Sequence, residues 1–223
     1  MIFSYSGHQS VKIQSGKISV IGTSSPVIYN EIICGLNDFN DNVKLFDDSY
    51  NKLEISKYID FDTSIVFNHK LYDKYSRYLM MTVIDNMTEI SRKKIDRDIQ
   101  ELYSSIQESL FMTDLPIEVT YDGDLKRIIN YSHMHFAFNR TLKPYDIIMN
   151  DLKIHLECNL KSIVSFSNLA NFLSKEEFTS LLSEVNSMQI PLLLVEFTEL
   201  NKMSFYQNAD ALFIDQDFVD WKE

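Results

Sequence analysis

A strand, a loop and a helix start follow one another near the N-terminus, which is the arrangement that binds phosphate in nucleotide-hydrolysing α/β proteins. Lys17–Gly22 predicts a short buried strand, Thr23–Pro26 a loop, and Val27–Ile33 the start of an apolar helix. A phosphate-binding loop at this turn needs two glycines, a lysine and a Ser or Thr, because backbone amides and the lysine surround the phosphates. Here Gly22 is the only glycine, and no lysine closes the loop. The sequence therefore predicts the architecture of such an enzyme without its means of holding a triphosphate, which favours a binding or scaffolding role.

Basic residues cluster within two turns of a predicted helix in the middle of the chain. They are Arg92, Lys93, Lys94 and Arg97. Lys93 and Arg97 share a face because they are four residues apart, and such cations can neutralise DNA phosphates without reading bases. Further basic pairs in the same zone are Lys126 with Arg127 and Arg140 with Lys143. We predict these eight residues as DNA contacts; the alternative is a solvated helix face whose cations pair with neighbouring acids.

Acidic residues surround a glycine in a predicted loop after this helix. Glu118, Asp122 and Asp124 lie close together in the sequence, with Gly123 between the two aspartates. Calcium takes six to eight oxygen ligands and tolerates a flexible turn, so these carboxylates predict a partial calcium site. The alternative is an ordinary acidic surface turn, since Asp and Gly are common turn residues.

Two other close pairs could in principle do chemistry. His133 and His135 would share one side of a strand and could bind a transition metal, but no Cys or third His is near them in sequence. Asp47 and Asp48 could be read as a catalytic acid pair, but no partner base or nucleophile accompanies them. We expect a structural or surface role for the histidines and a strand end at the aspartates.

Composition indicates a globular protein with one good core or two small ones. The chain has 223 residues, is 45% hydrophobic, and contains five glycines and four prolines. The longest apolar run, Ile190–Val195, is far short of the roughly 20 residues that a membrane-spanning helix needs. No basic segment precedes an apolar one at the start, so we expect no secretory signal, reduced and buried thiols at Cys34 and Cys158, and a cytoplasmic location. The net charge of −11 argues against nucleic-acid binding over the whole surface, but it allows a local basic strip, such as the lining of a ring.

The hydrophobic pattern divides the chain into three zones, at residues 1–68, 69–160 and 161–223. The first zone predicts a hairpin from Ile2–Tyr5 and Val11–Ile13, then the buried strand already described, with further strands at Val43–Phe46 and Thr63–Phe67. The middle zone is helical. Its clearest helix spans residues 87–112, with Asn86 predicted as the N-cap and Glu89 completing a capping box.

Apolar residues recur along this long helix at steps of three and four, on one face. They are Ile95, Ile99, Leu102, Ile106 and Leu110. An earlier helical stripe contains Tyr72, Tyr75 and Tyr78, which we expect in a core or a subunit interface. Shorter helices are predicted from Asp124 to about Tyr131, and from Pro144, which suits a first helical position.

The last zone returns to strands. Ser162–Phe166 predicts a buried strand, Ser174 and Glu177 a capping box for the next helix, and Pro191–Phe197 a strand buried on both faces. Strand, helix and strand in this order form a βαβ unit, and Ala211–Asp215 adds one more strand. The simplest assembly is one α/β sheet with the helical zone inserted between its halves.

Several of these blocks together resemble a known family. Val43–Asp48, a strand ending in Val66–Asn68, a long helical middle, Ile163–Leu169, and Leu173–Glu177 followed by Pro191–Glu196 are similar in order and type to the type II-A CRISPR adaptation proteins of the Csn family. The resemblance covers nearly the full length and is weakest in the middle third. It implies a nucleotide-hydrolase-like head, a helical arm at residues 69–160, and lost nucleotide binding.

The resemblance also implies a function. Members of the family form homotetrameric rings, thread double-stranded DNA ends through a basic channel, bind calcium, and work beside the spacer integrase and the RNA-guided effector nuclease. Consistent with lost catalysis, Ser167 and Asn168 stand where a magnesium-binding carboxylate would follow the strand Ser162–Phe166. We therefore expect a non-enzymatic DNA-end-binding protein of CRISPR spacer acquisition. The alternatives are a protein-only scaffold of the adaptation complex and a divergent nucleotide hydrolase.

Overall fold

The structure is a computed structural model that describes residues 1–63, 71–136 and 143–222. The chain forms two compact units. One contains Met1–Leu71 together with Phe138–Glu223, and the other contains Tyr72–Ala137. The two units are described separately below.

The first unit contains a four-stranded antiparallel sheet with the strand order β2-β1-β4-β5. Its strands are β1 (Ile2–Tyr5), β2 (Val11–Lys12), β4 (Val43–Phe46) and β5 (Lys52–Leu53). The predicted hairpin is confirmed, because Ile2 pairs with Lys12 and Phe3 with Val11. Burial alternates along β4, where Val43 and Leu45 are buried and Lys44 is exposed, as in a sheet with one solvated face.

A second, six-stranded sheet has the order β10-β9-β3-β8-β7-β6 and is parallel except for the pair β9 and β10. Its strands are β3 (Ile18–Thr23), β6 (Ile59–Asp62), β7 (Ile163–Ser167), β8 (Leu192–Phe197), β9 (Asp210–Ile214) and β10 (Asp220–Lys222). The mixed α/β class with a parallel sheet is confirmed. The expectation of a single sheet is wrong, because β4 buries one face and pairs antiparallel, whereas β3 and β7 are buried throughout.

Helix α1 (Pro26–Leu36) lies between the two sheets and contacts β3, β8 and β4. Ile28 and Ile32, on its buried side, are fully enclosed in a core that includes residues of both sheets. Pro26 stands at the start of the helix, where its missing N–H costs no hydrogen bond. The loop before α1 is therefore fixed at one end by β3 and at the other by a buried helix.

Two further helices of this unit are α6 (Pro144–Glu157) and α7 (Lys175–Met188), which contact each other. Pro144 is the first residue of α6, as predicted. The capping box of α7 is also confirmed: the Glu177 amide donates to Ser174 Oγ at 3.1 Å, and the Ser174 amide donates to Glu177 Oε2 at 2.8 Å.

Shorter elements complete the first unit. They are α2 (Ile55–Tyr58) and two 3-10 segments at Leu169–Asn171 and Leu200–Tyr206. The strand predicted at Thr63–Phe67 falls outside the described residues except for Thr63, and β6 ends just before it. In β10, the single tryptophan of the chain, Trp221, is half exposed and donates its indole N–H to Asp215 Oδ2 at 2.9 Å.

The second unit is helical within the described residues. It contains most of α3 (Leu71–Asn86) together with α4 (Glu89–Leu110) and α5 (Leu125–Tyr131). The predicted Asn86 cap is wrong, because α3 continues through Asn86 and Thr88 caps α4 instead, its Oγ1 accepting from the Ser91 amide at 3.1 Å. Among helices of the described ranges, none is both long and apolar enough to cross a membrane.

Most of the apolar stripe on α4 is not buried. Ile99 is 7% exposed, but Leu102 is 55% and Ile106 is 41% exposed. On α3, Tyr75 is buried whereas Tyr78 is half exposed. The periodicity thus predicts the helices correctly, and only part of the predicted face is buried in the described residues of a single chain.

Replacing the α7 cap, Ser174→Ala, should lower the free energy of unfolding by about 1 kcal/mol, because the Glu177 backbone amide loses the hydroxyl oxygen that accepts its hydrogen bond. The matched control is Ser183→Ala, at an exposed position in the same helix, which should change stability by less than about 0.5 kcal/mol. Urea unfolding followed by tryptophan fluorescence measures both. Equal stability of the two variants would contradict the cap.

Candidate functional site

The carboxyl ends of the parallel strands are where open α/β sheets bind ligands. In the loop after β3, the Ser25 amide donates to Thr23 Oγ1 at 3.0 Å, and Ser25 Oγ accepts from the Ile28 amide at 3.4 Å. A side chain at Gly22 would meet Met203 Sδ at 2.8 Å, so this position needs glycine for close packing. The Thr23 and Ser25 hydroxyls thus accept hydrogen bonds from backbone amides of the loop and of the helix start.

The end of β7 is likewise held by hydrogen bonds within the protein. Ser167 Oγ donates to the Thr63 carbonyl at 3.1 Å. Asn168 adopts a left-handed conformation with φ 54°, accepts from the Phe197 amide at 2.9 Å, and donates to Tyr29 Oη at 2.7 Å. The two residues that stand at the predicted carboxylate position therefore join β7, β8 and α1 together.

A buried carboxyl lies near the end of β8. Glu196 is 2% exposed, and its Oε1 accepts from the Leu169 amide at 2.8 Å. Burial raises the pKa of Glu196 to about 7, although the nearby Tyr206 hydroxyl and backbone amides partly oppose the shift. Tyr206 is equally buried, and burial together with the Glu196 charge raises its pKa above the usual range. This pair is not evident from the sequence, because Glu196 reads as the polar end of an apolar strand.

A second buried cluster joins β6, α6 and the start of β7. His155 Nδ1 lies 3.2 Å from Asp151 Oδ1, and His155 Nε2 lies 3.4 Å from Asp60 Oδ2 and 3.2 Å from Ser162 Oγ. Of the part of the chain that the structure describes, Asp60, Asp151 and His155 form the only group of three or more potential metal ligands with atoms within 4.8 Å of one another.

The chemistry of this cluster matches that of a buried ion pair. Burial alone would lower the pKa of His155, but hydrogen bonds to Asp151 and Asp60 outweigh it and raise the pKa to about 9. Both ring nitrogens face carboxylates, as in a doubly bonded imidazolium. The contact between His155 and Asp60 is not evident from the sequence, because the two residues are distant in the chain.

The predicted DNA contacts on α4 are all exposed. Lys93 pairs with Glu89 at 2.6 Å, Arg97 Nε lies 3.9 Å from Asp98, and Arg92 donates to the Ile84 carbonyl at 2.6 Å. Lys94 has no ion pair with a described residue. The side chains of Lys93 and Arg97 are 76% and 69% exposed, so both pairs belong to the weak surface class.

The other predicted basic residues have different surroundings. Lys126 is exposed, and Lys143 precedes α6 with its amide 3.3 Å from Asp146 Oδ2. Arg140 lies outside the described residues. Arg127 pairs with Asp122 and, through Nε, with Asp124 Oδ2 at 3.6 Å.

This last contact involves two of the three predicted calcium ligands. Asp122 and Asp124 both face the Arg127 guanidinium, and Asp124 caps α5 through the Lys126 amide at 2.9 Å. Glu118 is exposed and does not complete a three-ligand group within the described residues. The calcium site stays a prediction, and an ion there would replace the guanidinium.

The remaining candidate pairs are structural. His133 has φ 51° and its carbonyl lies 2.9 Å from His135 Nδ1, so the two residues form a turn rather than one side of a strand. Asp47 accepts from the side-chain amide of Asn51 and from the backbone amides of Asn51 and Ser49, each at 2.8 Å, and these bonds lower its pKa. Asp47 follows the last residue of β4, as predicted. The cysteines are free and half-buried, which corrects the expectation that they are buried. They are Cys34 and Cys158.

The His155 cluster gives stability that depends on pH. Because the native pKa of about 9 lies above the ordinary 6.5, the contribution is complete below pH 6.5 and is lost as pH rises towards 9. We expect the free energy of unfolding to fall by up to about 3 kcal/mol over this range. In His155→Asn this fall should be absent, although the variant is less stable at pH 6. Urea unfolding from pH 6 to 9 measures the free energy of unfolding of the unchanged protein and of the variant. If the two free energies changed with pH in parallel, the ion pair of His155 would be contradicted.

Comparisons with known proteins place the fold. No protein-family model matches the chain, and no curated protein matches it in sequence. The crystal structure of Stu0660 of Streptococcus thermophilus is similar, with a TM-score of 0.59 and 12% identity over 100% of this chain and 76% of that chain. An ABC-transporter ATP-binding cassette, MJ1267 in its ADP conformation, gives 0.46 and 11% over 96% and 84%. The dimeric cassette MJ0796 gives 0.40 and 13% over 100% and 95%. The chain therefore shares its fold with Stu0660.

Proposed function

We propose that this protein is a non-catalytic, sequence-independent double-stranded DNA-end-binding protein of CRISPR spacer acquisition, which acts as a homotetrameric ring. In this proposal the first unit is a nucleotide-hydrolase-like head, and the helical segment is an arm that contributes to a basic channel. The partners are DNA ends, the spacer integrase and the RNA-guided effector nuclease.

The observation that carries the proposal is the exposed cation cluster of α4. Its four residues contribute no packing, and the ion pairs of Lys93 and Arg97 are exposed and cost little to exchange. Phosphates can replace Glu89 and Asp98 as partners, and counterion release then drives binding without base contacts. The overall charge of −11 would confine DNA to such a local surface.

The carboxyl edge of the sheet supports the non-catalytic part. Ser25, Ser167 and Asn168 are bonded to neighbouring protein groups at the positions where a hydrolase needs phosphate and magnesium contacts. No lysine stands in the loop 22–26 to hold a phosphate. A protein that keeps this architecture without these groups is suited to binding and assembly.

Calcium fits the proposal through Arg127. An ion held by Asp122 and Asp124 would displace the guanidinium from both carboxylates, because like charges compete for the same oxygens. The released Arg127 would then be able to contact phosphate. Calcium would thereby free the Arg127 cation for the DNA surface and itself neutralise Asp122 and Asp124.

The decisive test compares linear and covalently closed circular duplexes of equal length, with calcium or with a chelator, alongside mass from light scattering. We expect a tetramer that retains linear DNA much better than circles, because a closed circle offers no end for threading. Calcium should strengthen retention. A monomer without affinity for linear duplex at low salt would contradict the proposal. Equal retention of linear and circular DNA would mean that the protein binds DNA by surface contact and not by threading over an end.

Neutralising the α4 cluster tests the surface itself. The triple variant Lys93→Gln, Lys94→Gln, Arg97→Gln should weaken binding by about tenfold or more and reduce the salt slope by about two to three, since each phosphate contact adds about one. The control removes the same charge from exposed sites elsewhere, with Lys44→Gln, Lys52→Gln and Lys153→Gln. Fluorescence anisotropy against salt concentration measures both.

Two outcomes would favour the alternatives. If the α4 variant and the charge-matched control retained DNA equally, the protein-only scaffold would be preferred. ATP turnover by the purified protein that disappears in Ser25→Ala would revive the divergent hydrolase, because Ser25 lies in the loop that would hold the nucleotide.

A further inference from the structure

A cleft of about 480 Å³ opens at the carboxyl edge of the parallel sheet, beside the end of β8. Its walls come from the 3-10 turn after β7, the start of α7, and the segment from β8 to the second 3-10 helix. The charged or titratable residues lining it are Lys175, Glu196, Lys202 and Tyr206. Its volume suits a small molecule rather than a macromolecule.

The floor of this cleft carries two buried polar groups. Glu196 and Tyr206 are each 2% exposed. The Tyr206 hydroxyl lies near enough to the Glu196 carboxyl to affect its pKa, yet it makes no hydrogen bond of ordinary geometry to a described group. A buried hydroxyl that faces a carboxyl without a well-formed hydrogen bond is costly, and a ligand that reached it would relieve that cost.

The mouth of the cleft is positively charged, whereas the chain as a whole is negatively charged. Lys175 and Lys202 are exposed at the rim, whereas the chain as a whole carries a charge of −11. Because no other charged residue of the described ranges lines the cleft, its field is positive when Glu196 is neutral. Phe197 and Phe205 add aromatic surface to the walls.

We propose that this cleft is a binding site for a small ligand that joins an oxyanion to a planar ring, of the size of a nucleoside monophosphate. Tyr206 and the protonated Glu196 donate hydrogen bonds to the oxyanion, the two lysines attract it, and the phenylalanines pack against the ring. The lining of this cleft includes no residue of the loop after β3 and none of the α4 cations. Binding of the small ligand is therefore independent of nucleotide hydrolysis and of DNA binding.

The assignment of Glu196 as a donor has a testable consequence. Its pKa of about 7 leaves the carboxyl mostly protonated at pH 6 and mostly ionised at pH 8. An ionised carboxylate would repel the ligand, so affinity should fall about tenfold between these pH values. A ligand that used Glu196 as an acceptor, such as an amine, would show the opposite trend.

Isothermal titration calorimetry with the full chain tests the site, with adenosine monophosphate as the probe and adenosine and benzoate as comparisons. We expect adenosine monophosphate to bind more tightly at pH 6 than at pH 8, and adenosine not to bind. Benzoate binding at least as tight would assign the oxyanion as a carboxylate rather than a phosphate. Absence of binding by both anions at millimolar concentration would overturn the proposal.

Variants separate the site from general charge effects. Tyr206→Phe and Lys202→Met should each weaken binding by about tenfold. Glu196→Gln should retain binding and lose the fall in affinity from pH 6 to pH 8, because the amide stays a donor and only the phosphate of the probe, with a second pKa of about 6, still titrates. Lys153→Met is the control for charge, and the α4 triple variant should bind the nucleotide like the unchanged protein. If Lys153→Met and Lys202→Met lost equal affinity, or Tyr206→Phe lost none, the cleft would not be the site.

Discussion

The burial of β3, β7 and β8 on both faces is the constraint on which the first unit depends. Parallel strands of this kind must be covered on each side, and α1 supplies one cover while also closing the antiparallel sheet. Side chains with chemistry can then reach solvent only at the ends of the strands. This is why Ser25, Asn168 and Glu196, which are far apart in sequence, meet at one edge.

At that edge, polar side chains hold neighbouring segments together. The Asn168 side-chain amide accepts from the Phe197 amide and donates to Tyr29 Oη, so it joins the end of β7 to β8 and α1. Glu196 likewise accepts from the Leu169 amide and fixes the turn after β7. These side chains stabilise the ends of the strands, and the open cleft lies beside them, lined by Glu196 and Tyr206.

Local patterns predicted the elements well and their assembly less well. The runs at β3 and β8 are continuous and apolar, and the capping box at Ser174 is unambiguous, so both follow from neighbouring residues. The division into two sheets depends on which strands pair with each other. The alternation of buried and exposed residues in β4 indicates a sheet with one solvated face, but it does not identify the partner strands. The Asn86 cap failed because Thr88 offers the same chemistry two residues later.

The site was predictable only where its residues are close in sequence. The cations of α4 and the acids near Gly123 were visible, whereas the bonds of His155 to Asp60 and of Glu196 to the turn after β7 join distant segments. Even for the residues that the sequence did single out, the ion pairs could not be predicted. Nothing in the sequence indicates that Arg127 pairs with Asp122.

The position of the single tryptophan has a consequence for any study of this protein's unfolding. Trp221 is in β10, at the edge of the first unit, and residues 72–137 contain none. Its emission therefore reports on its own unit, whereas far-ultraviolet circular dichroism also follows the helices of residues 72–137. Two probes that disagree would mean that the halves of the molecule denature as separate cooperative blocks.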